Sequence, residues 1–215
     1  MTDHSTPVAG TVFVVDDDPS FRQAIARLLN AAGYVVEVFA SAGEFLERHR
    51  VESRGCVLAD LRMPGPSGLD LQAALGQRAN PLPVIFLTGH GDIPTSVHAM
   101  RGGAEDFLTK PVKREDLLKA VRRALIRDAQ NAAARASAGE LRGRYETLTP
   151  REREVLSLIV AGKLNKEIAG DLGATERTIK AHRASLVEKL QARSPAELGR
   201  MAQELGLASS PPANR

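Results

Sequence analysis

Residues 11–19 read TVFVVDDDP, an unbroken apolar and β-branched run that ends in three aspartates and a proline. An apolar run of this length with no polar residue alternating fits a strand covered on both faces, as in a parallel sheet. The Asp18-Pro19 step then opens a helix. A carboxylate at the N-cap accepts backbone N–H bonds, and proline is pre-set for the first helical position. Strand, acidic turn and helix start together make the beginning of a βα unit.

The unit repeats. Further apolar runs lie at Val35–Phe39, Cys56–Asp60, Val84–Thr88 and Asp106–Thr109, with helical patterns between them. Ser41-Ala42-Gly43-Glu44 has the form of a capping box, and Ser67, Asp92 and Lys113 open the third, fourth and fifth helices. Five βα repeats imply an α/β fold with helices on both sides of a parallel sheet, and 2-1-3-4-5 is the favoured doubly wound strand order. From Ile126 to Glu146 the chain turns Ala/Arg-rich, expected to be a helical extension followed by a flexible linker. Beyond Thr147 every pattern is helical. Thr149-Pro150-Arg151-Glu152 and Ser194-Pro195-Ala196-Glu197 both combine an N-cap, a proline and a capping-box glutamate. Asn165 and Thr175 are expected N-caps, and Gly162 and Gly173 expected terminators. The expected organisation is an α/β domain over 1–125, a linker over 126–146, a four-helix bundle over 147–208 and a disordered tail over 209–215.

Composition narrows the function classes. Aromatics make up 4% of the chain, so the core must be aliphatic. A single cysteine, Cys56, excludes an intramolecular disulfide and a cysteine-based zinc site, and its apolar strand makes it a small buried residue. No apolar run approaches the roughly 20 residues of a membrane span, and the polar start MTDHSTPVAG is unlike a secretion signal. A cytoplasmic protein with no membrane partner is expected. Lys and Arg number 14 against 15 Asp and Glu through Leu125, a net of −1, and 15 against 11 beyond it, a net of +4. A near-neutral first part and a basic second part point to nucleic acid.

Parallel sheets bind ligands beyond the carboxyl ends of their strands, where strand order reverses. Asp16 and Asp17 follow the first strand and Asp60 ends the third. With order 2-1-3 these strands are neighbours and the acids converge. A divalent cation relieves packed like charges, and hard oxygen ligands suit Mg²⁺ or Mn²⁺. Thr88 ends the fourth strand and Lys110 follows the fifth. A metal, a carboxylate nucleophile, a hydroxyl and a lysine together describe phosphoryl transfer to an aspartate. Singly, each has a plainer explanation, as a loop acid, a turn hydroxyl or a rigid strand exit. Asp18, beside Pro19, is a helix cap outside the metal set.

VVDDDP, DLRMPGPSG, LTGHGD and EDFLTKP resemble the receiver domain of bacterial response regulators, over about Thr11 to Leu125. The resemblance implies a flavodoxin-like (βα)5 fold with Asp60 as the phosphorylated aspartate. Asp16, Asp17 and the backbone carbonyl of Arg62 would be its partners in holding Mg²⁺. It further implies that Thr88 contacts the phosphoryl group, that Lys110 pairs with it, and that Lys110-Pro111 is cis. Phe107 takes the place of a switching aromatic, and Gly89 leaves space for the donor.

In Glu176–Leu190, Leu186 and Leu190 fall within about 20° of Ile179 at 100° per residue, giving one buried stripe. Arg177, Ala181 and Ala184 lie opposite, flanked by Lys180 and Ser185. Small and cationic residues on one exposed face suit the major groove. With the short helix before it, the segment makes a helix-turn-helix. LTPREREVL and NKEIAGDLGATERTIKAHRASLVEKLQARSPAEL resemble the LuxR-type DNA-binding domain, over about Leu148 to Leu205. Joined to a receiver, this resembles the FixJ/NarL family of transcriptional response regulators. The resemblance implies that Lys180 and Ala181 face bases and that Thr178, His182 and Lys189 lie near phosphates. Ala184 stands where some relatives carry a longer base-contacting side chain. Asn165, Lys166 and Arg177 complete the candidate DNA-contacting set, and Arg183, nearer the buried stripe, is left out of it.

The implied function is a transcription factor phosphorylated on Asp60 by a sensor histidine kinase. Phosphorylation would promote a homodimer on a double-stranded DNA operator, with RNA polymerase as a further partner. It would lose its phosphoryl group by slow hydrolysis and not act as a turnover enzyme. A Mg²⁺-dependent aspartyl phosphohydrolase is a rival, and it needs a second acid and a cap region that the sequence does not offer. A constitutive DNA-binding scaffold is a third possibility, against which the complete acidic site speaks.

Overall fold

The computed structural model describes residues 9–50, 52–89 and 93–207, without the side chains of 93–95. Five strands, β1 (Thr11–Val15), β2 (Val35–Phe39), β3 (Gly55–Asp60), β4 (Val84–Thr88) and β5 (Asp106–Thr109), alternate with α1 (Pro19–Ala31), α2 (Ala42–Arg48), α3 (Gly68–Gly76) and α4 (Ile93–Arg101). The helix α5 (Arg114–Glu146) follows β5. All pairings are parallel and the strand order is 2-1-3-4-5, the flavodoxin-like order expected from the repeat pattern. The chain divides after Ala132 into two compact units.

The apolar runs are continuous because successive side chains of a strand enter different cores. Phe13, Val15, Val57, Ala59 and Phe86 pack with Phe39, Phe45, Leu71 and Leu75 on one face, where the expected aliphatic core instead gathers four of the six phenylalanines. Val12, Val14, Cys56, Leu58, Ile85 and Leu87 pack with Ile25, Leu29, Leu117 and Val121 on the other. The outer strand β2 departs from the expectation of two covered faces: Val35 is 64% exposed, and Glu37 and Val38 are exposed as well. A strand at the edge of a sheet has a neighbour on one side only, and its apolar run is shared between core and surface.

Asp18 caps α1 by accepting from Ser20 and Phe21, with Pro19 following it. Ser67 and Asp70 form a reciprocal capping box on α3. The box expected at Ser41 is closed differently: Ser41 accepts from the Glu44 N–H, while the Glu44 carboxylate reaches one residue further back, to the Ala40 N–H. Asp92, expected to open α4, and the tail 209–215, expected to be disordered, lie outside the described residues.

Where a flexible linker was expected within 126–146, α5 runs as unbroken helix to Glu146. No proline falls between Pro111 and Pro150, the segment is rich in alanine, and Gly139 and Gly143 cost only about 1 kcal/mol each against alanine. Leu141 and Tyr145 pack into the second unit's core, so the last turns of α5 belong to that unit.

The second unit adds α6 (Pro150–Val160), α7 (Asn165–Asp171), α8 (Glu176–Leu190) and α9 (Pro195–Glu204). Val155, Leu156, Ile168, Ile179, Leu186, Leu190, Leu198 and Met201 form its aliphatic core. Thr149 and Glu152 form the expected box on α6, and Thr175 caps α8. Asn165 is not the cap of α7, as expected, but its first residue. Leu164 takes the cap position, and the Glu167 carboxylate satisfies the Leu164 N–H at 2.7 Å. No helix among the described residues is long and apolar enough to cross a membrane.

Candidate functional site

Parallel pairing of β1 with β3 sets Asp16 and Asp17, just beyond β1, beside Asp60, the last residue of β3. Carboxylate oxygens of the three lie within 4.8 Å of one another. Asp16 is 1% exposed, Asp60 half-buried and Asp17 exposed, so the cluster opens to solvent on one side. Lys110, directly after β5, reaches across the sheet edge. Its Nζ donates to Asp16 Oδ2 at 2.6 Å and to Asp60 Oδ2 at 3.1 Å. Its backbone N–H donates to the Thr88 carbonyl at 2.7 Å, and the Lys110-Pro111 bond is cis.

The two oxygens of Asp60 differ. Oδ2 is held by Lys110, whereas Oδ1 meets the backbone N–H of Arg62 at 3.5 Å, the long limit of a hydrogen bond. Oδ1 is therefore the oxygen more available to form a new bond. Burial pushes the Asp16 carboxyl above its ordinary value, against the opposing pull of Lys110. On Lys110 burial acts downward, but Asp16 and Asp60 outweigh it and hold the ammonium above its ordinary value. One ammonium thus serves two carboxylates and leaves Asp17 to solvent, an arrangement with room for more positive charge. Three hard oxygen donors around an open side fit a divalent cation such as Mg²⁺.

The other expected residues stand close by. Thr88 is buried at the end of β4, one position beyond the partner of Asp60 in the strand register. Phe107 lies opposite Phe86, half-buried, with ring centroids 6.5 Å apart. It sits back from the acidic edge, packed against the core from its margin. A Cβ added at Gly89 would meet nothing within 4 Å. At Gly68 it would meet the Asp60 carbonyl oxygen at 2.4 Å, so glycine lets α3 start against the strand that carries Asp60. Two participants escape a linear pattern. The Phe21 ring lies 4.1 Å from Lys110 Nζ, and the Arg22 guanidinium donates to the Asp16 carbonyl. Both come from the first turn of α1, and only the tertiary crossing of β5 brings Lys110 to them.

In the second unit α8 buries Ile179, Leu186 and Leu190, the expected stripe. Arg177, Thr178, Lys180, Ala181 and Ala184 are exposed and His182 is half-buried. Lys166, Arg177 and Lys180 take part in no ion pair among the described residues, so their charge faces solvent. Thr178 exchanges a 2.9 Å hydroxyl contact with Thr175. The remaining members of the set are engaged internally. Asn165 Oδ1 accepts from Arg183 at 2.9 Å, and Lys189 Nζ donates to Glu152 Oε2 at 2.7 Å. Ser185, expected to flank the exposed face, donates its hydroxyl to Glu152 Oε1 at 2.6 Å. Glu152 reads in the sequence as a capping residue alone, which conceals its ties to α8.

Each of the two units matches a known family. The chain matches the family model described as response regulator receiver domain over residues 12–122 and the one described as bacterial regulatory proteins, luxR family, over residues 146–202. It is 43% identical to nodulation protein W of Bradyrhizobium diazoefficiens, over 93% of this chain and 88% of that one. It is 40% identical to the transcriptional regulatory protein FixJ of Rhizobium meliloti, over 98% of this chain and 100% of that one. Among solved structures it is similar to the response regulator StyR, with a TM-score of 0.79 and 44% identity, covering 91% of this chain and 100% of that one.

Proposed function

The chain belongs to the response regulators that join a receiver domain to a LuxR-type DNA-binding domain, and from that premise we propose that phosphoryl transfer to Asp60 controls its binding to operator DNA. The observation that carries this reading is the convergence of Asp16, Asp17, Asp60 and Lys110 on one sheet edge, with Asp60 Oδ1 the less firmly held of the two carboxylate oxygens. A sensor histidine kinase, or a small acyl phosphate, supplies the phosphoryl group. Asp60 Oδ1 forms the new O–P bond as the donor's N–P or O–P bond breaks, and the leaving group keeps the electron pair. Mg²⁺ held by Asp16, Asp17, Asp60 and the Arg62 carbonyl would supply positive charge against the phosphoryl oxygens. Lys110 pairs with the same oxygens once the transfer is made, and the Thr88 hydroxyl offers them a hydrogen bond. Phe107, packed on Phe86 behind Thr88, turns inward as Thr88 moves.

In the second unit Lys180 and Ala181 face bases from the exposed side of α8, with Ala184 leaving room beside them. Arg177, Thr178, His182, Asn165 and Lys166 lie along the phosphate backbone. The phosphorylated chain acts as a homodimer in the cytoplasm, with RNA polymerase as its further partner, and loses the phosphoryl group by slow hydrolysis.

The test is intact-mass measurement after incubation with acetyl phosphate. Wild type with Mg²⁺ should gain one phosphoryl group. Asp60→Asn, which keeps the shape and removes the nucleophile, should gain none, and chelation should suppress the gain in wild type. An undiminished adduct on the Asn variant would overturn the assignment.

A further inference from the structure

Glu152 is a capping residue that does a second task. Its side chain is 5% exposed. Oε2 accepts from the Thr149 N–H at 2.8 Å and from Lys189 Nζ at 2.7 Å, and Oε1 accepts from Ser185 Oγ at 2.6 Å. Ser185 and Lys189 are four residues apart, so they share one face of α8. That face lies about a third of a turn from the one that carries Lys180, Ala181 and Ala184, at 100° per residue. A single buried carboxylate therefore fixes both the start of α6 and the rotation of α8 about its own axis. From another side the Asn165–Arg183 bond ties α8 to α7.

Lys189 already spends its charge on a buried carboxylate, so a DNA phosphate beside it would meet a neutralised pair and not a free cation. Leaving Glu152 would strand a buried charge with one cationic partner lost, which is strongly unfavourable. Lys166, Arg177 and Lys180 carry no such obligation. We propose that Lys189 is a positioning residue for DNA recognition, setting the orientation of α8 through Glu152, and not a phosphate contact. The proposal rests on the second unit being the DNA-binding module.

The two roles leave different signatures. A lost phosphate contact flattens the slope of log affinity against log salt by about 0.9 and weakens all duplexes alike. A lost tie leaves the slope unchanged and lowers the preference for the right sequence, because a turned helix misplaces its base-reading side chains. The full chain is used throughout, with a duplex enriched by the wild type from a random-sequence pool and a shuffled duplex as comparator. Lys189→Met keeps the apolar stem and removes the charge. Glu152→Gln keeps the shape and frees Lys189.

Each single variant should lower the ratio of selected to shuffled affinity about tenfold, the scale of one good base contact. The salt slope should stay at the wild-type value, and the double variant should match either single one. A slope flattened by about 0.9 with the ratio intact in Lys189→Met would overturn the proposal. So would tighter binding by Glu152→Gln, the result expected if a freed Lys189 reached phosphate, or wild-type behaviour in either variant. Failure of the underlying reading is visible separately, in the wild type alone, as equal affinity for the two duplexes.

Discussion

His49 shows how a residue remote from the acidic edge can govern the response of the receiver to acid. Its ring stacks on Phe45 at 4.7 Å and meets Phe13 edge-on at 4.9 Å. Nδ1 pairs with the Arg78 guanidinium at 2.9 Å, and an arginine can only donate, so the neutral ring carries its proton on Nε2. Nε2 is buried with no hydrogen-bond partner among the described residues. Burial first, and the Arg78 charge second, hold the His49 pKa below its ordinary 6.5. A histidine with a depressed folded-state pKa is neutral in both states above 6.5, and the unfolded chain takes up the proton first as pH falls. Its contribution to stability is therefore complete above about pH 6.5 and is lost progressively below it. Urea midpoints measured from pH 7.5 to 5 should fall for wild type, and less steeply for His49→Phe, which keeps the stacked ring and removes the titration. Parallel pH profiles for the two proteins would show that this imidazole does not titrate against folding.

Among the elements, α5 continues as helix beyond the sheet it packs on, and a buried acid holds that continuation. Asp128 is 1% exposed, and its Oδ2 accepts from Arg54 Nε at 2.7 Å and from the Gly55 N–H at 3.1 Å, at the start of β3. Replacing it with alanine leaves a buried backbone donor unsatisfied and frees the helix from the strand. Asp128→Ala should destabilise the first unit by about 1–3 kcal/mol in urea unfolding, the usual cost of an orphaned buried polar group. A loss within a few tenths of a kcal/mol would place Asp128 outside the determinants of stability. The sequence conveyed the elements unevenly, for physical reasons. Strand runs and helix caps are local: Asp18, Ser67, Thr149 and Thr175 each satisfy a donor within three residues, and spacing alone reveals them. Asp128 with Arg54, Glu152 with Lys189 and Asn165 with Arg183 join residues far apart in the chain, and no local pattern encodes such pairs. The length of α5 was hidden differently. Its Ala/Arg-rich segment lacks an apolar stripe to announce a helix, and a helix there needs only the absence of a breaker.

At the scale of the whole molecule the strand ends were the most legible feature, because parallel order alone gathers Asp16, Asp60, Thr88 and Lys110. In the proposed function the acidic edge acts on α8 through assembly. Each chain carries one α8, so a single copy can read only one half-site. Two copies joined through their receivers would hold two recognition helices at high effective concentration on one duplex. In the proposed route Thr88 moves toward the phosphoryl group and Phe107 fills the space behind it, which would remodel the surface of α4, β5 and the start of α5. That surface already exposes apolar side chains, with Met100 48% and Val97 42% exposed on α4, while β5 and α5 contribute the Arg123–Asp106 ion pair. Light scattering on the full chain should give a monomer mass without acetyl phosphate and a dimer mass with acetyl phosphate and Mg²⁺. Asp60→Asn should stay monomeric under both conditions. Met100→Asp should accept the phosphoryl group as wild type does and yet fail to dimerise, because a charge placed in an apolar contact meets no partner there. Its affinity for a two-half-site duplex should then fall by at least about tenfold, while affinity for a single half-site is kept, since only the effective-concentration gain is removed. A phosphorylated wild type that remains monomeric at concentrations where it occupies both half-sites would exclude this route. Control would then lie in release of the DNA-binding unit from an inhibitory contact, and Met100→Asp would bind both duplexes as wild type does.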